Sequence, residues 1–165
     1  MKPSQSTDTT REPRIALFAG SFDPFTLGHE NIVLRGLEIF DKVIVGIGIN
    51  PDKHPMMSAE ARKQWIEAVF ADEPRVKVIA YEGYTVDAAR VHGAKFLLRG
   101  VRTASDFEYE KHIAGVNRRL AGIETVLINT LPELEHISSS LVRERLAAGQ
   151  DISDLVPATA PINLL

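Results

Sequence analysis

The segment FAGSFDPFTLGH, at residues 18–29, places small, polar and aromatic residues where an apolar strand ends. Gly20 permits a close backbone approach and a positive φ, and Thr26 is placed to cap a helix that begins with Gly28 and His29. Unpaired N–H groups at such a helix end, together with the helix dipole, favour an anion. An imidazole in the first turn adds a donor for a phosphate oxygen. The segment therefore predicts a phosphate site, and the alternative is a histidine with ordinary structural partners.

Three further groups of polar residues suit a ligand that carries several phosphates. Arg99 and Arg102 stand in RGVR at the end of the fourth predicted strand, where two guanidinium groups can bind phosphate oxygens in pairs. Lys53 follows the second strand, and the serines at 138–140 begin the last helix. Each group has a plainer alternative, namely surface arginines, a solvated lysine and ordinary N-capping serines.

The remaining histidines show no metal-binding pattern. His54, His92, His112 and His136 share neither H-x-x-x-H nor H-E-x-x-H spacing, and the chain has no cysteine. It also contains no P-loop and no G-x-G-x-x-G motif, which argues against kinases and hydride-transferring dehydrogenases. We therefore expect no metal held by protein side chains, and a nucleotide bound in another way.

Composition limits the class of protein. The 165 residues are 44% hydrophobic and 25% charged, which fits one globular domain. A net charge of −3 argues against a protein that binds nucleic acid or an anionic membrane. The polar N-terminus lacks the apolar run of a signal peptide, and no stretch reaches the roughly 18 apolar residues of a membrane span. We expect a cytoplasmic protein with a disordered extension at 1–13 and one domain at 14–165.

Short β-branched runs alternate with segments of helical period, which is typical of strand-helix units in a parallel sheet. Strands are predicted at residues 14–18, 42–49, 75–80, 95–99 and 125–129. Helices are predicted at residues 28–40, 58–70, 85–92, 105–120 and 138–148. The fold class is therefore α/β, a single doubly wound, Rossmann-like sheet of five parallel strands with helices on both faces. The polar clusters follow the strand ends, where ligands bind in such sheets.

Two local patterns complete the prediction of elements. The fourth helix carries an apolar stripe at i, i+4, i+7 and i+11, formed by Tyr109, Ile113, Val116 and Leu120. The final VPATAPINLL has two prolines, so we expect only a short turn or tail there.

Four motifs in this order, GSFDPFTLGH, NPDKHPMMS, RGVRTASDFEYE and ISSSLVRERL, resemble the phosphopantetheine adenylyltransferases. This family belongs to the T/H-x-G-H nucleotidyltransferase superfamily, and the resemblance covers about residues 14–156. T-x-G-H alone indicates only the superfamily. RGxRTxxDFEYE, with the later Asn117 and Arg118, is much more specific to the family.

The resemblance implies transfer of AMP from ATP to 4′-phosphopantetheine, giving dephospho-coenzyme A and pyrophosphate. It implies that Ser21 and Lys53 hold the attacking phosphate, that His29 contacts the α-phosphate, and that Arg102 and the serines hold the ATP phosphates. The catalytic set is His29, Lys53 and Arg102. The ATP-binding set is Ser21, Phe22, His29, Gly100, Val101, Arg102, Glu110, Leu134, Glu135, His136, Ile137, Ser138, Ser139 and Ser140. The substrate-binding set is Ser21, Lys53, Thr85, Arg99, Ile113 and Asn117.

The resemblance also implies partners beyond the two substrates. Mg²⁺ should arrive with ATP and touch phosphates more than protein. Coenzyme A is implied as a feedback ligand, and a homohexamer as the assembly. Three departures from the family pattern stand out: Ala19 replaces a common proline, residues 134–136 replace an aromatic-Ser-aromatic triplet, and the usual closing helix is missing.

Direct in-line attack by the acceptor phosphate needs no covalent nucleophile, so catalysis consists of positioning and charge stabilisation. Other functions remain open at this stage: a sister enzyme that acts on nicotinate mononucleotide or uses CTP, and a non-catalytic ATP-binding module. DFEYE argues against the sister enzymes. A class I aminoacyl-tRNA synthetase is excluded by the length and the acidic balance.

Overall fold

Five strands and five helices alternate along the chain in the computed structural model, which describes residues 11–165. The strands are β1 Ile15–Gly20, β2 Lys42–Ile49, β3 Val76–Glu82, β4 Phe96–Val101 and β5 Glu124–Asn129. The helices are α1 Leu27–Gly36, α2 Ala59–Val69, α3 Thr85–Val91, α4 Ala104–Ala121 and α5 Ser139–Ala147. Each predicted element is present, with shifts of a few residues at the ends.

The strands form one parallel sheet in the order β3-β2-β1-β4-β5. The chain runs outward from β1 to β3 and then crosses back to β4 on the other side of β1. The point at which strand order reverses therefore lies between β1 and β4, and ligands bind at the carboxyl ends of the strands there. The predicted doubly wound sheet is confirmed.

Alternate side chains of the strands pack into two separate cores. Phe18 belongs to the larger core, which α1, α2 and α5 cover, and Trp65 lies fully buried at its centre. Leu17 faces the opposite core, where α3 contributes Ala88 and Ala89. Helices thus cover both faces, as the near-continuous apolar strands predict.

The first helix ends earlier than predicted, at Gly36 instead of residue 40. The main chain turns there, and the N–H of Phe40 donates to the carbonyl of Gly36 at 2.8 Å. The turn is shown by the N–H groups of Glu38 and Ile39, which donate to carbonyls only three residues back, at 3.2 and 3.0 Å. Leu37 and Phe40 are both buried, a spacing that also fits a helical period. The turn places Phe40 against the core directly before β2.

The predicted apolar stripe of α4 does not face the core. Tyr109 is 63% exposed and Leu120 is 79% exposed, while Ile113 and Val116 are half-buried. The buried residue of the helix is Glu110, which faces an arginine of β4. The stripe predicted the helix correctly, but this helix covers the sheet partly with polar side chains.

The segment after α5 packs back onto the start of α1. Ile152, Leu155 and Val156 are buried in the larger core, and the carbonyl of Leu155 accepts a hydrogen bond from the N–H of Leu27 at 3.0 Å. The predicted short turn at the end is a 3-10 turn, Ile162–Leu164.

The predicted disordered extension falls mostly on residues 1–10, which lie outside the described residues. Arg11 and Glu12 contact the domain, since Arg11 pairs with Asp41 at 2.8 Å and Glu12 pairs with Lys95. The domain boundary stays a prediction. None of the helices in residues 11–165 combines the length and apolar composition that crossing a membrane requires.

Candidate active site

Three adjoining cavities open at the carboxyl ends of the strands. The main cleft, of about 510 Å³, lies at the reversal of strand order between β1 and β4. It brings together most of the predicted ATP-binding set, namely Ser21, Phe22, His29, Gly100, Arg102, Glu110, Leu134, Ile137, Ser138, Ser139 and Ser140.

The predicted substrate-binding residues divide between the other two cavities. An inner pocket of about 180 Å³ is lined by Thr85, Ile113 and Asn117, and it shares Arg99 and Glu110 with the main cleft. A side chamber of about 680 Å³ is lined by Lys53 and shares Ser21 with the main cleft. Val101, Glu135 and His136 line none of these three cavities, and their contacts to ATP stay predictions.

Side chains of α2 and α5 hold the loop between β1 and α1 by its main-chain carbonyls. The donors lie 2.7 to 3.1 Å from the carbonyl oxygens: Arg62 to Ser21, Arg143 to Asp23, Ser139 to Pro24 and Trp65 to Phe25. On the other side, the buried carboxylate of Asp23 accepts hydrogen bonds from the N–H groups of Met56 and Met57. The loop is therefore fixed before any ligand binds, which is what a positioning site requires.

Gly20 is required for space rather than for a positive φ, which corrects the prediction. The positive φ, +50°, belongs to Phe22. A Cβ added at Gly20 would lie 2.8 Å from Cε1 of Phe22, which is closer than van der Waals contact allows. The Phe22 ring would therefore have to move. That ring is buried and packs edge-on against the imidazole of His29, with centroids 5.0 Å apart. The Phe22 ring thus helps to fix the orientation of the His29 imidazole.

His29 occupies the third position of α1 and forms a capping box with Thr26. Its Nδ1 lies 3.0 Å from the main-chain nitrogen of Thr26 and 3.1 Å from the hydroxyl oxygen. Since a main-chain N–H can only donate, Nδ1 accepts and Nε2 carries the proton. Burial, with Arg102 and then Arg99 nearby, lowers the pKa of His29 to about 4. At neutral pH the ring is therefore an uncharged hydrogen-bond donor.

The N-terminus of α1 offers fewer free donors than predicted. The N–H of Leu27 is taken by Leu155, and the N–H of His29 donates to the hydroxyl of Thr26 at 3.5 Å. Within residues 11–165, the N–H of Gly28 has no partner, and Gly28 lines the main cleft. One amide of this helix end therefore remains for an anion.

The three serines at the start of α5 have different roles. Ser138 caps the helix, since its hydroxyl accepts a hydrogen bond from the N–H of Leu141 at 3.1 Å. For this serine, the alternative of ordinary N-capping is therefore correct. The hydroxyl of Ser140 accepts from Arg143 at 3.2 Å. The main-chain N–H groups of Ser139 and Ser140 have no partner in the part of the chain that the structure describes. Two amides at this helix end can therefore bind an anion.

The two arginines of RGVR are held differently. Arg99 forms a bidentate pair with Glu110, the shortest contact being 2.7 Å, and donates to the carbonyl of Ala19 at 2.6 Å. Arg102 is 43% exposed and lies 3.5 Å from a carboxylate oxygen of Asp106. The side chain of Arg99 is thus held in place between the main cleft and the inner pocket. The more exposed side chain of Arg102 can turn toward a ligand.

Sequence reasoning missed two arginines at the site. Arg143 lines both the main cleft and the side chamber, and it stands one helical turn after Ser139 and Ser140, a spacing that could have indicated it. Arg62 is buried, and it occupies the apolar stripe that includes Trp65. A charged residue on an apolar stripe is the signal that could have found it.

Comparisons with known proteins agree with this geometry. The cytidylyltransferase-like family model matches residues 17–145. The phosphopantetheine adenylyltransferase of Phocaeicola vulgatus is 53% identical over 144 residues, which cover 87% of this chain and 95% of that protein. The enzyme of Porphyromonas gingivalis is 54% identical, over 87% of this chain and 94% of that protein. The enzyme of Bacteroides thetaiotaomicron is 48% identical, over 91% of this chain and 99% of that protein.

Solved structures share the fold at low sequence identity. A bifunctional NMN adenylyltransferase/ADP ribose pyrophosphatase from Francisella tularensis matches with a TM-score of 0.67 and 20% identity over 91% of this chain. The match covers 46% of that enzyme, so the chain spans slightly under half of its length. This likeness shows a shared nucleotidyltransferase fold and nothing finer.

Proposed function

The chain belongs to the cytidylyltransferase-like family and, within it, to the phosphopantetheine adenylyltransferases, and from that membership we propose how its residues divide the reaction. The protein is a nucleotidyltransferase that transfers AMP from ATP to 4′-phosphopantetheine. The products are dephospho-coenzyme A and pyrophosphate, in the biosynthesis of coenzyme A. The roles of individual residues in this reaction are proposals.

One observation supports the mechanism more than any other: an uncharged His29 carries its proton on Nε2 in a cleft that also contains Arg99 and Arg102. We assign Nε2–H as a donor to a non-bridging oxygen of the α-phosphate. Negative charge builds on that oxygen as the acceptor attacks, so the bond strengthens in the transition state. With a pKa of about 4, the ring acts by hydrogen bonding and does not transfer a proton at neutral pH.

The acceptor phosphate attacks directly. Ser21 and Lys53 hold it at the edge of the main cleft, and one of its oxygens forms a bond to the α-phosphorus in line with the departing group. The bond from the α-phosphorus to the oxygen that bridges to the β-phosphate breaks, and its electron pair leaves with pyrophosphate. The enzyme contributes positioning and charge stabilisation, without a covalent intermediate.

Two helix N-termini receive the departing pyrophosphate. The free N–H of Gly28 in α1 and those of Ser139 and Ser140 in α5 line the same cleft. A Cβ added at Gly28 would lie 4.0 Å from the carbonyl of Ile137, so the two helix ends are close together. Arg102 adds a guanidinium for the β- and γ-phosphates.

The inner pocket suits the pantetheine arm, because Thr85 and Asn117 offer polar groups and Ile113 an apolar surface. Arg99 stands at its junction with the main cleft. Leu134, Ile137 and Gly100 line the part of the cleft that we assign to the nucleoside. The predicted contacts of Phe22, Val101, Glu110, Glu135 and His136 to ATP remain part of this proposal.

Nucleotidyltransferases of this kind generally use a divalent metal ion with ATP, and we assign Mg²⁺. The carboxylates in the main cleft, Asp106 and Glu110, are each paired with an arginine. Within residues 11–165, no three His, Asp or Glu side chains are grouped so that they could hold an ion. The residues therefore fit an ion that the ATP phosphates carry, and such an ion would neutralise charge on the departing pyrophosphate.

The assembly, feedback and location implied by the family stay proposals. Large apolar side chains of α3 and α4 are exposed, with Val91 and Leu120 both at 79%, as expected of a chain that forms a homo-oligomer, here a hexamer. Coenzyme A contains a pantetheine arm and an adenylate, so it would compete for the inner pocket and the main cleft. The cytoplasm remains the predicted location.

Release of pyrophosphate from ATP tests the function directly. The assay compares 4′-phosphopantetheine, nicotinate mononucleotide and no acceptor at equal concentrations. We expect release with phosphopantetheine alone. Release with nicotinate mononucleotide would indicate a sister enzyme, and binding of ATP without release under any condition would indicate a binding module.

A further inference from the structure

In the described part of the chain, the main cleft and the side chamber share two lining residues, Ser21 and Arg143. The proposed function places the acceptor phosphate between Ser21, at this junction, and Lys53, in the side chamber. Arg143 therefore lies at the same junction as the phosphate that attacks. Arg143 belongs to the ISSSLVRERL motif, but the resemblance assigned it no role.

Arg143 is held in place by neutral groups. Its Nη1 donates to the carbonyl of Asp23 at 2.8 Å, and its Nη2 donates to the hydroxyl of Ser140 at 3.2 Å. No carboxylate of residues 11–165 lies within ion-pair distance of it. A guanidinium has five N–H donors, so three remain for a ligand while the two bonds fix the orientation of the group.

Arg62 adds a second cation that has no carboxylate partner within residues 11–165. It is only 4% exposed, and its Nη1 donates to the carbonyl of Ser21 at 2.8 Å. Buried arginines are ordinarily paired with an acid, because an isolated buried charge is costly. Among the residues that the structure describes, one carboxylate lines the side chamber, that of Asp23, and the N–H groups of Met56 and Met57 already bind it.

The lining of the side chamber therefore has three side-chain cations, Lys53, Arg62 and Arg143, to one carboxylate. That balance suits a dianion better than a neutral group. The ATP phosphates have other donors, since the free amides of α1 and α5 line the main cleft and do not line the side chamber.

We propose that Arg143 binds the phosphate of the acceptor, a phosphomonoester dianion, together with Ser21 and Lys53. Arg62 is a positioning residue, which acts by holding the carbonyl of Ser21 and by adding positive charge to the chamber. This inference rests on the proposed function for the identity of the acceptor. It adds a residue that distinguishes a phosphorylated acceptor from one without phosphate.

The test measures the contribution of the phosphate alone. Calorimetry gives the Kd of phosphopantetheine and of pantetheine, which lacks the phosphate, for the parent, Arg143→Ala and Arg143→Lys. We expect the preference for the phosphorylated ligand to fall about tenfold or more in Arg143→Ala, with the Kd of pantetheine unchanged within twofold. Lysine should recover part of the preference. The matched control is Arg119→Ala, at an exposed residue of α4 that lines none of the three cavities.

Two outcomes would overturn the inference. Equal weakening of both ligands would indicate a structural role, and an unchanged preference with weakened ATP binding would assign Arg143 to ATP. Arg62→Lys gives a second measurement, in which the charge stays but the bond to Ser21 changes. Arg62→Lys should reduce the preference for phosphopantetheine over pantetheine. An unchanged preference would show that Arg62 does not position the phosphate site. Failure of the proposed function is distinguishable, because the parent itself would then show no preference for phosphopantetheine.

Discussion

The Nδ1 of His29 lies 3.0 Å from the main-chain nitrogen of Thr26, inside the first turn of α1. The same contact closes a capping box and fixes the ring proton on Nε2. The capping residue thus determines which nitrogen is available to a ligand. Phe22 packs edge-on against the same ring, so both the tautomer and the orientation are set before ATP arrives.

The low pKa of His29 predicts a pH dependence with a defined sign. In the unfolded chain the pKa returns from about 4 to about 6.5, so the unfolded state binds more protons between these values. Stability therefore falls as pH drops from 6.5 towards 4, by about 3 kcal/mol in all, and this contribution is constant above pH 7. Unfolding free energies of the parent and His29→Gln across pH 4.5 to 7.5 measure it, and the variant should show the shallower slope. An NMR titration of His29 with a midpoint near 6.5 would contradict the assignment.

Gly20→Ala should affect the site through Phe22. The added Cβ would displace a ring that supports His29, so we expect a stability loss of about 1–3 kcal/mol and a fall in kcat larger than any change in ATP affinity. Gly115→Ala is the matched control, because a Cβ there meets nothing within 4 Å and α4 gains helix propensity. Normal kcat in Gly20→Ala would show that Phe22 does not control the position of His29.

Lys53→Ala should weaken phosphopantetheine binding and slow turnover, and leave ATP binding without acceptor largely intact. The physical reason is location, since Lys53 lines the side chamber and does not line the main cleft. Calorimetry with each ligand separately measures both affinities. Selective loss of ATP binding would refute the assignment.

Arg102→Ala should reduce both ATP affinity and kcat, because charge-assisted bonds worth about 1.5–3 kcal/mol each are lost. Lysine at this position keeps the charge without the planar fork, so it should recover only part of the loss. The loss of the Asp106 pair contributes little, because both partners are exposed to solvent. If the alanine variant binds ATP as the parent does, Arg102 is a surface arginine.

The sheet could be predicted from the sequence because each strand is a short apolar run between turn residues. The sequence did not predict the strand order, and the structure shows that β1 and β4 flank the reversal. The end of α1 could not be predicted, because Leu37 and Phe40 fit a helical period and only the main-chain hydrogen bonds after Gly36 show the turn.

Within the site, residue types at strand ends predicted which groups converge, but they did not predict the partners of those groups. Sequence indicated several free amides at α1, and the carbonyl of Leu155, more than a hundred residues later, takes one of them. Likewise, the burial of Glu110 depends on its pairing with Arg99 across two elements. Local patterns carry no information on such long-range pairs.

In the proposed mechanism, an uncharged His29 stabilises charge that appears only as the α-phosphate is attacked. The most direct measurement is kcat for pyrophosphate release with phosphopantetheine, beside the ATP affinity, in His29→Ala. A melting curve confirms that the variant is folded despite the loss of the capping box. We expect kcat to fall about 10²-fold or more while ATP affinity stays within a few fold, since a transition-state contact is lost. A folded variant with near-normal kcat would contradict it.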